Sequence, residues 1–189
     1  MRSLQEILAD CSKAVHVKDN RALRFLTEEL ESLADPISNA YSLYYRAEAL
    51  FNEGDLAGAE LHADLAIAGF RSGGDDSAEA MAHNLLSNIA HGKGEIDLSI
   101  ERAERAVAIY SSLHDLGRVA ACQLTLGNAL RARGDLRSAL AVYEHCKENL
   151  DAVGDNLMSA KTMMNMATVH SDLGEFTESL SYYERATEI

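Results

Sequence analysis

The chain of 189 residues has one proline (Pro36), no tryptophan, three cysteines and no long apolar run. Proline breaks helices by removing a backbone donor and crowding the preceding turn, so its scarcity leaves room for many uninterrupted helices. A membrane span needs about 20 consecutive apolar residues, and none is expected here. Cys11, Cys122 and Cys146 form no Cys-x-x-Cys pair and leave an odd number, which fits a reducing compartment, and hence the cytoplasm, better than a disulfide framework. Leu8-Ala9-Asp10-Cys11 lacks the small neutral residue before the cysteine and the unbroken apolar stretch of an export signal. Basic residues are scarce as well: 17 Lys and Arg stand against 30 Asp and Glu, for a formal net charge of −13. That field repels a phosphate backbone, so nucleic acid is not an expected partner, and the excess acid reads as a solvated surface.

Catalytic signatures are missing too. The seven histidines, at 16, 62, 83, 91, 114, 145 and 170, show neither His-x-x-x-His nor His-Glu-x-x-His spacing, so no metal site is expected. Arg71-Ser-Gly-Gly-Asp-Asp lacks the lysine and the spacing of a phosphate loop, and no nucleophile elbow or kinase motif occurs. The chain is expected to need no cofactor and not to be an enzyme.

What the chain does have is an internal repeat. Gly54, Gly94, Gly134 and Gly174 recur every 40 residues, each followed by an acid and then a large apolar residue. The same interval relates Asp35, Asp75, Asp115 and Asp155, and likewise Ala40, Ala80, Ala120 and Ala160. Self-similarity at such a period means stacked supersecondary units, none of which buries its apolar face alone. Within one unit, Leu124, Leu126 and Leu130 lie at helical spacing, Gly134-Asp135-Leu136 interrupts it, and Ala139, Leu140, Tyr143 and Cys146 resume it. Each repeat is therefore read as a helix hairpin. The glycine ends the first helix in a left-handed turn and the acid after it, Asp135 included, caps the second, with Glu95 and Glu175 the poorer caps. The aspartates at 35, 75, 115 and 155 cap the first helices. Small residues at 47, 87, 127 and 167, and at 59, 99, 139 and 179, mark where paired helices approach closely, and Cys146 reads as a small packed residue.

These residues resemble the tetratricopeptide repeat, with Leu126-Gly127-x-x-Leu130 and Ala139-x-x-x-Tyr143 the best match to its Leu-Gly-x-x-Tyr and Ala-x-x-x-Phe elements. The period exceeds the usual value of about 34. This longer form is similar to the arrays of bacterial signalling regulators and of kinesin light chain. The resemblance implies an all-α, right-handed solenoid of antiparallel hairpins. Residues 1–34 are expected to form a divergent N-terminal hairpin or cap, with repeats at 35–74, 75–114, 115–154 and 155–189. The last repeat is expected to be truncated, lacking a polar capping helix, as though the chain were part of a longer protein.

In arrays of this family the first helix of each repeat lines the concave surface. The resemblance therefore implies a peptide-binding groove made of Tyr41, Tyr45, Glu48 and Asn52, then Asn84, Asn88 and His91, then Thr125, Asn128 and Arg131, and finally Asn165, Thr168 and Asp172. A carboxamide donates and accepts at once, so a row of asparagines suits the backbone of an extended peptide; the alternative is a merely solvated helix face. Tyr41, Tyr44, Tyr45 and Phe51 read either as an apolar anchor or as core aromatics. Met163, Met164 and Met166 read as packing left exposed at the last repeat. With Phe176, Leu180, Tyr183 and Ile189 they suggest a homodimer through the C-terminal end. The function expected is that of a protein- or peptide-interaction module, the sensory or regulatory segment of a larger bacterial signalling protein, with a self-association scaffold as the alternative.

Overall fold

The computed structural model describes residues 2–188. Among them the chain forms ten α-helices and no strand: α1 (Leu4–His16), α2 (Asn20–Ser32), α3 (Pro36–Glu53), α4 (Leu56–Gly73), α5 (Asp76–Lys93), α6 (Ile96–Ser112), α7 (Leu116–Arg133), α8 (Leu136–Val153), α9 (Asn156–Asp172) and α10 (Phe176–Thr187). The helices fall into two compact units, Met1–Lys93 with α1 to α5 and Gly94–Ile189 with α6 to α10. In each unit consecutive helices pack on one another through tight turns. The first core is built on Leu23, Leu30, Ala47, Ala63 and Phe70, and the second on Ala103, Ala139, Tyr143, Cys146 and Val169.

Local chemistry explains the boundaries. Gly54, Gly94, Gly134 and Gly174 adopt φ of 85°, 79°, 93° and 78°, a region closed to most side chains. Asp35 accepts the backbone N–H of Ile37 and Ser38, Asp75 that of Ala78, Asp115 that of Arg118 and Asp155 that of Met158, all at 3.0–3.1 Å. Pro36 takes the first turn of α3, where its missing N–H costs nothing.

The caps of the second helices depart from expectation. Asp55 does accept the N–H of Gly58 at 3.0 Å, but Asp135 caps nothing. The guanidinium of Arg133 takes the Asp135 carboxylate, with Nε at 2.7 Å, and a charge-assisted fork outcompetes a single neutral amide. Glu95 and Glu175 make no side-chain cap either. Instead the Glu175 carboxylate meets His170 Nδ1 at 2.7 Å as well as Arg137, and the His170 contact heads the causes holding its pKa below the usual glutamate range.

A second periodic turn escapes the glycine pattern. Ala34, Gly74, His114 and Gly154, again at the repeat interval, all have positive φ, at 53°, 71°, 56° and 75°. Glycine is at ease there, whereas a Cβ in this region costs about 1 kcal/mol or more. Ala34→Gly and His114→Gly are each expected to stabilise the fold by about 0.5–1 kcal/mol, measured as a higher urea midpoint with an unchanged m-value. A lower midpoint would show that these side chains contribute more than the strain they impose.

The methionines differ from expectation as well. Met163 and Met166 are 2% and 1% exposed, and only Met164 is open, at 51%. Met163 and Met166 lie one turn apart on the face of α9 that carries Ala167 and Val169 into the core. Phe176, Leu180 and Tyr183 do lie exposed, at 71%, 59% and 40%, while Ile189 falls outside the described residues.

Candidate functional site

The candidate residues occupy α3 and α5 in the first unit, and α7 and α9 in the second. In the first unit Tyr41 is half-buried, with its ring edge-on to Phe70 (centroids 4.8 Å apart) and its hydroxyl donating to Asp75 at 2.7 Å. Tyr45 is 5% exposed and packs edge-on to Tyr44 at 5.0 Å, so it belongs to the core and not to an open face. The physical reason is the stripe it shares with Ala49, one turn on and equally buried, which turns inward. There Tyr45 lines a cleft of about 320 Å³ with Leu23, Arg24, Arg46, Leu50 and His62 of α2, α3 and α4.

Glu48 accepts a 2.5 Å bond from the Tyr44 hydroxyl, and burial pushes its carboxyl pKa up against that bond's opposing pull. A raised folded pKa means the folded state holds the proton longer, so this group weakens the fold as pH rises above the ordinary glutamate range. Glu48→Gln keeps an acceptor for Tyr44 and removes the desolvated charge. It is expected to raise the melting temperature at pH 7, with the gain shrinking toward pH 4; a gain independent of pH would contradict this reading.

Asn52 donates to Asn20 of α2 at 3.3 Å. On α5 the Oδ1 of Asn84 is shielded from solvent without a hydrogen-bond partner, Asn88 is half-buried and His91 is exposed. This strip therefore carries amide capacity that the fold leaves unused. An acceptor in that state is costly unless a ligand meets it.

The second unit ties its candidates together. Arg131 Nε donates to Asp172 at 2.7 Å, and Asn165 Nδ2 to Asn128 Oδ1 at 3.4 Å, each pair linking α7 to α9. Thr125 and Thr168 return their hydroxyls to the Ala121 and Met164 carbonyls, at 3.4 and 2.9 Å. Sequence reasoning missed two further members. Tyr143 on α8 donates its hydroxyl to Asn128 Oδ1 at 2.6 Å, and the Tyr183 hydroxyl on α10 lies 3.2 Å from Thr168 Oγ1. The signal was present as an aromatic fifteen positions after a polar first-helix residue, in two successive repeats. Gly127 makes the first contact possible: a Cβ there would lie 2.4 Å from the Tyr143 ring.

The geometry offers hydrogen bonding and little acid–base or nucleophilic chemistry. Burial pushes the Cys11 and Cys122 thiols up to about 12, far from a reactive thiolate. Among the described residues no group of three or more His, Cys, Asp or Glu is placed to hold a metal ion, and no helix is long and apolar enough to cross a membrane.

The tetratricopeptide repeat family model matches residues 118–189, which span α7 to α10. Residues 118–189 carry tetratricopeptide repeats. The chain's two-helix fold recurs in the tetratricopeptide-like repeats of a putative kinesin light chain from Podosopora anserina, at a TM-score of 0.74 and 16% identity over 100% of this chain and 96% of that one. A Rap protein crystallised with Competence and Sporulation Factor superposes at a TM-score of 0.83, with 12% identity, over 100% of this chain and 54% of that one. At such identities the likeness shows the fold alone. In sequence, the transcriptional activator NprA of Geobacillus stearothermophilus is 28% identical over 108 residues, 57% of this chain and 27% of NprA. The chain thus spans about a quarter of that relative's length. The tetratricopeptide fold makes it a protein-interaction module.

Proposed function

We propose that these repeats are the sensory or regulatory segment of a larger cytoplasmic bacterial signalling protein, and that they bind an extended peptide or partner segment along the first-helix strips. The observation that carries this is the buried Oδ1 of Asn84, shielded from solvent without a hydrogen-bond partner on the first-helix strip. An extended segment supplies N–H and C=O groups in alternation and meets such amides without regard to its side chains. Likeness to the transcriptional activator NprA supports the regulatory setting. The test is a pull-down followed by calorimetry on an Asn88→Ala, Asn128→Ala double variant. Affinity for the captured partner should fall at least about tenfold, or roughly 1.4 kcal/mol. Unchanged affinity removes the strips as the site.

A second reading, self-association through α10, is favoured by the exposure of Phe176 and Leu180 (71% and 59%) on one face. Light scattering at several concentrations tests it: Phe176→Asp with Leu180→Asp should abolish a concentration-dependent dimer, and a wild-type chain that stays monomeric excludes this reading.

A further inference from the structure

The geometry points to Tyr143 as a positioning residue that locks the carboxamide of Asn128, so that the strip on α7 and α9 presents an N–H donor at Asn128 and receives a backbone carbonyl of the bound segment there. The inference deepens the proposed function and rests on it for the identity of the ligand group, though not for the locking itself. Tyr143 is fully buried, and among the described residues the Oδ1 of Asn128, 2.6 Å away, is the partner of its hydroxyl. A buried phenol must place its proton on an acceptor, and burial raises its pKa, so it stays a donor at any physiological pH. Were the Asn128 amide reversed, its NH2 would face the hydroxyl and strand that proton. The orientation is therefore dictated by chemistry. Asn165 Nδ2 approaches the same oxygen at 3.4 Å, which occupies its second lone pair.

The consequence is a division of labour. Asn128 has spent its acceptor and keeps two N–H donors, while Asn165 has spent a donor and keeps its Oδ1. A carbonyl fits the first and an N–H fits the second, the two groups that an extended residue offers side by side. One repeat on, Tyr183 reaches Thr168 at 3.2 Å, and Thr168 already donates to the Met164 carbonyl, so Tyr183 is again the donor and fixes the orientation of the groove hydroxyl. The corresponding residues of the two earlier repeats are Ala63 and Ala103, and the amide of Asn88 has no such clamp.

Nitrogen-15 relaxation of the side-chain amides tests the lock on the whole chain without any ligand. Wild-type Asn128 should be rigid and Asn88 mobile, and Tyr143→Phe, which keeps the ring and its packing, should make Asn128 as mobile as Asn88 while the circular dichroism stays the same. An Asn128 amide already mobile in the wild type, or unmoved by Tyr143→Phe, overturns the inference. For the ligand group, the probe is the peptide most enriched from a random dodecapeptide display library. Its affinity should fall about tenfold with Tyr143→Phe and further with Asn128→Asp, which puts an oxygen where the donor stood. If Tyr143→Phe loosens the amide while Asn128→Ala leaves the affinity unchanged, the lock stands and the groove reading fails. If Asn128→Ala weakens binding while Tyr143→Phe does not, the groove stands and the positioning role falls.

Discussion

Tyr143→Ala is expected to lower stability by about 3–5 kcal/mol, the usual cost of emptying a fully buried aromatic site. The ring is wholly shielded, it lies against the bare backbone of Gly127, and its hydroxyl is bonded to Asn128. Gly127→Ala forces a Cβ to within 2.4 Å of that ring, so the fully buried ring or the helix backbone must shift. Overpacking of this kind costs about 1–3 kcal/mol, against about 1 kcal/mol gained in helix propensity. The two changes should therefore couple. In a Tyr143→Ala background the clash is gone, so Gly127→Ala should become neutral or stabilising. Denaturant unfolding of the four proteins of this cycle measures the coupling, and additive effects would show that ring and glycine do not share the space.

Phe70→Ala is the counterpart in the first unit, with a similar expected loss of about 3–5 kcal/mol. Phe70 is fully buried and stands edge-on to Tyr41, so its removal leaves a cavity beside a candidate groove residue. Repeat proteins are held by neighbour contacts, so the damage should stay local. Hydrogen exchange should speed up in α3, α4 and α5 while α7, α8 and α9 keep their protection. Uniform loss across all ten helices would mean that the chain unfolds as one cooperative block.

The hairpins were legible because their determinants are local. A left-handed turn after a helix favours glycine, and an aspartate two or three residues before an amide caps it, so Gly54 and Asp35 declare themselves in the sequence. The turn shared by Ala34, Gly74, His114 and Gly154 was hidden, since two of its four positions carry side chains in a conformation they tolerate poorly. Which flank of an apolar stripe faces the core is a question of neighbouring helices. Helical spacing therefore named Tyr45 without showing that it points into the cleft with Leu23, and named Met163 and Met166 without showing that they are buried. Asp135 went astray for a related reason: a neighbouring arginine changed the competition for its carboxylate. Of the candidate site, the row of first-helix residues could be read from the repeat register. The Arg131–Asp172 and Asn128–Asn165 pairs, and the clamp from Tyr143, depend on distances between helices that no spacing rule contains.

A crystal structure of the chain with the minimal segment of its captured partner tests the central claim most directly. The account predicts an extended segment lying on the first-helix strip of the second unit, with a backbone carbonyl within hydrogen-bond distance of Asn128 Nδ2. A segment seated on α8, or on the exposed face of α10, with Asn128 and Asn165 untouched, would contradict it.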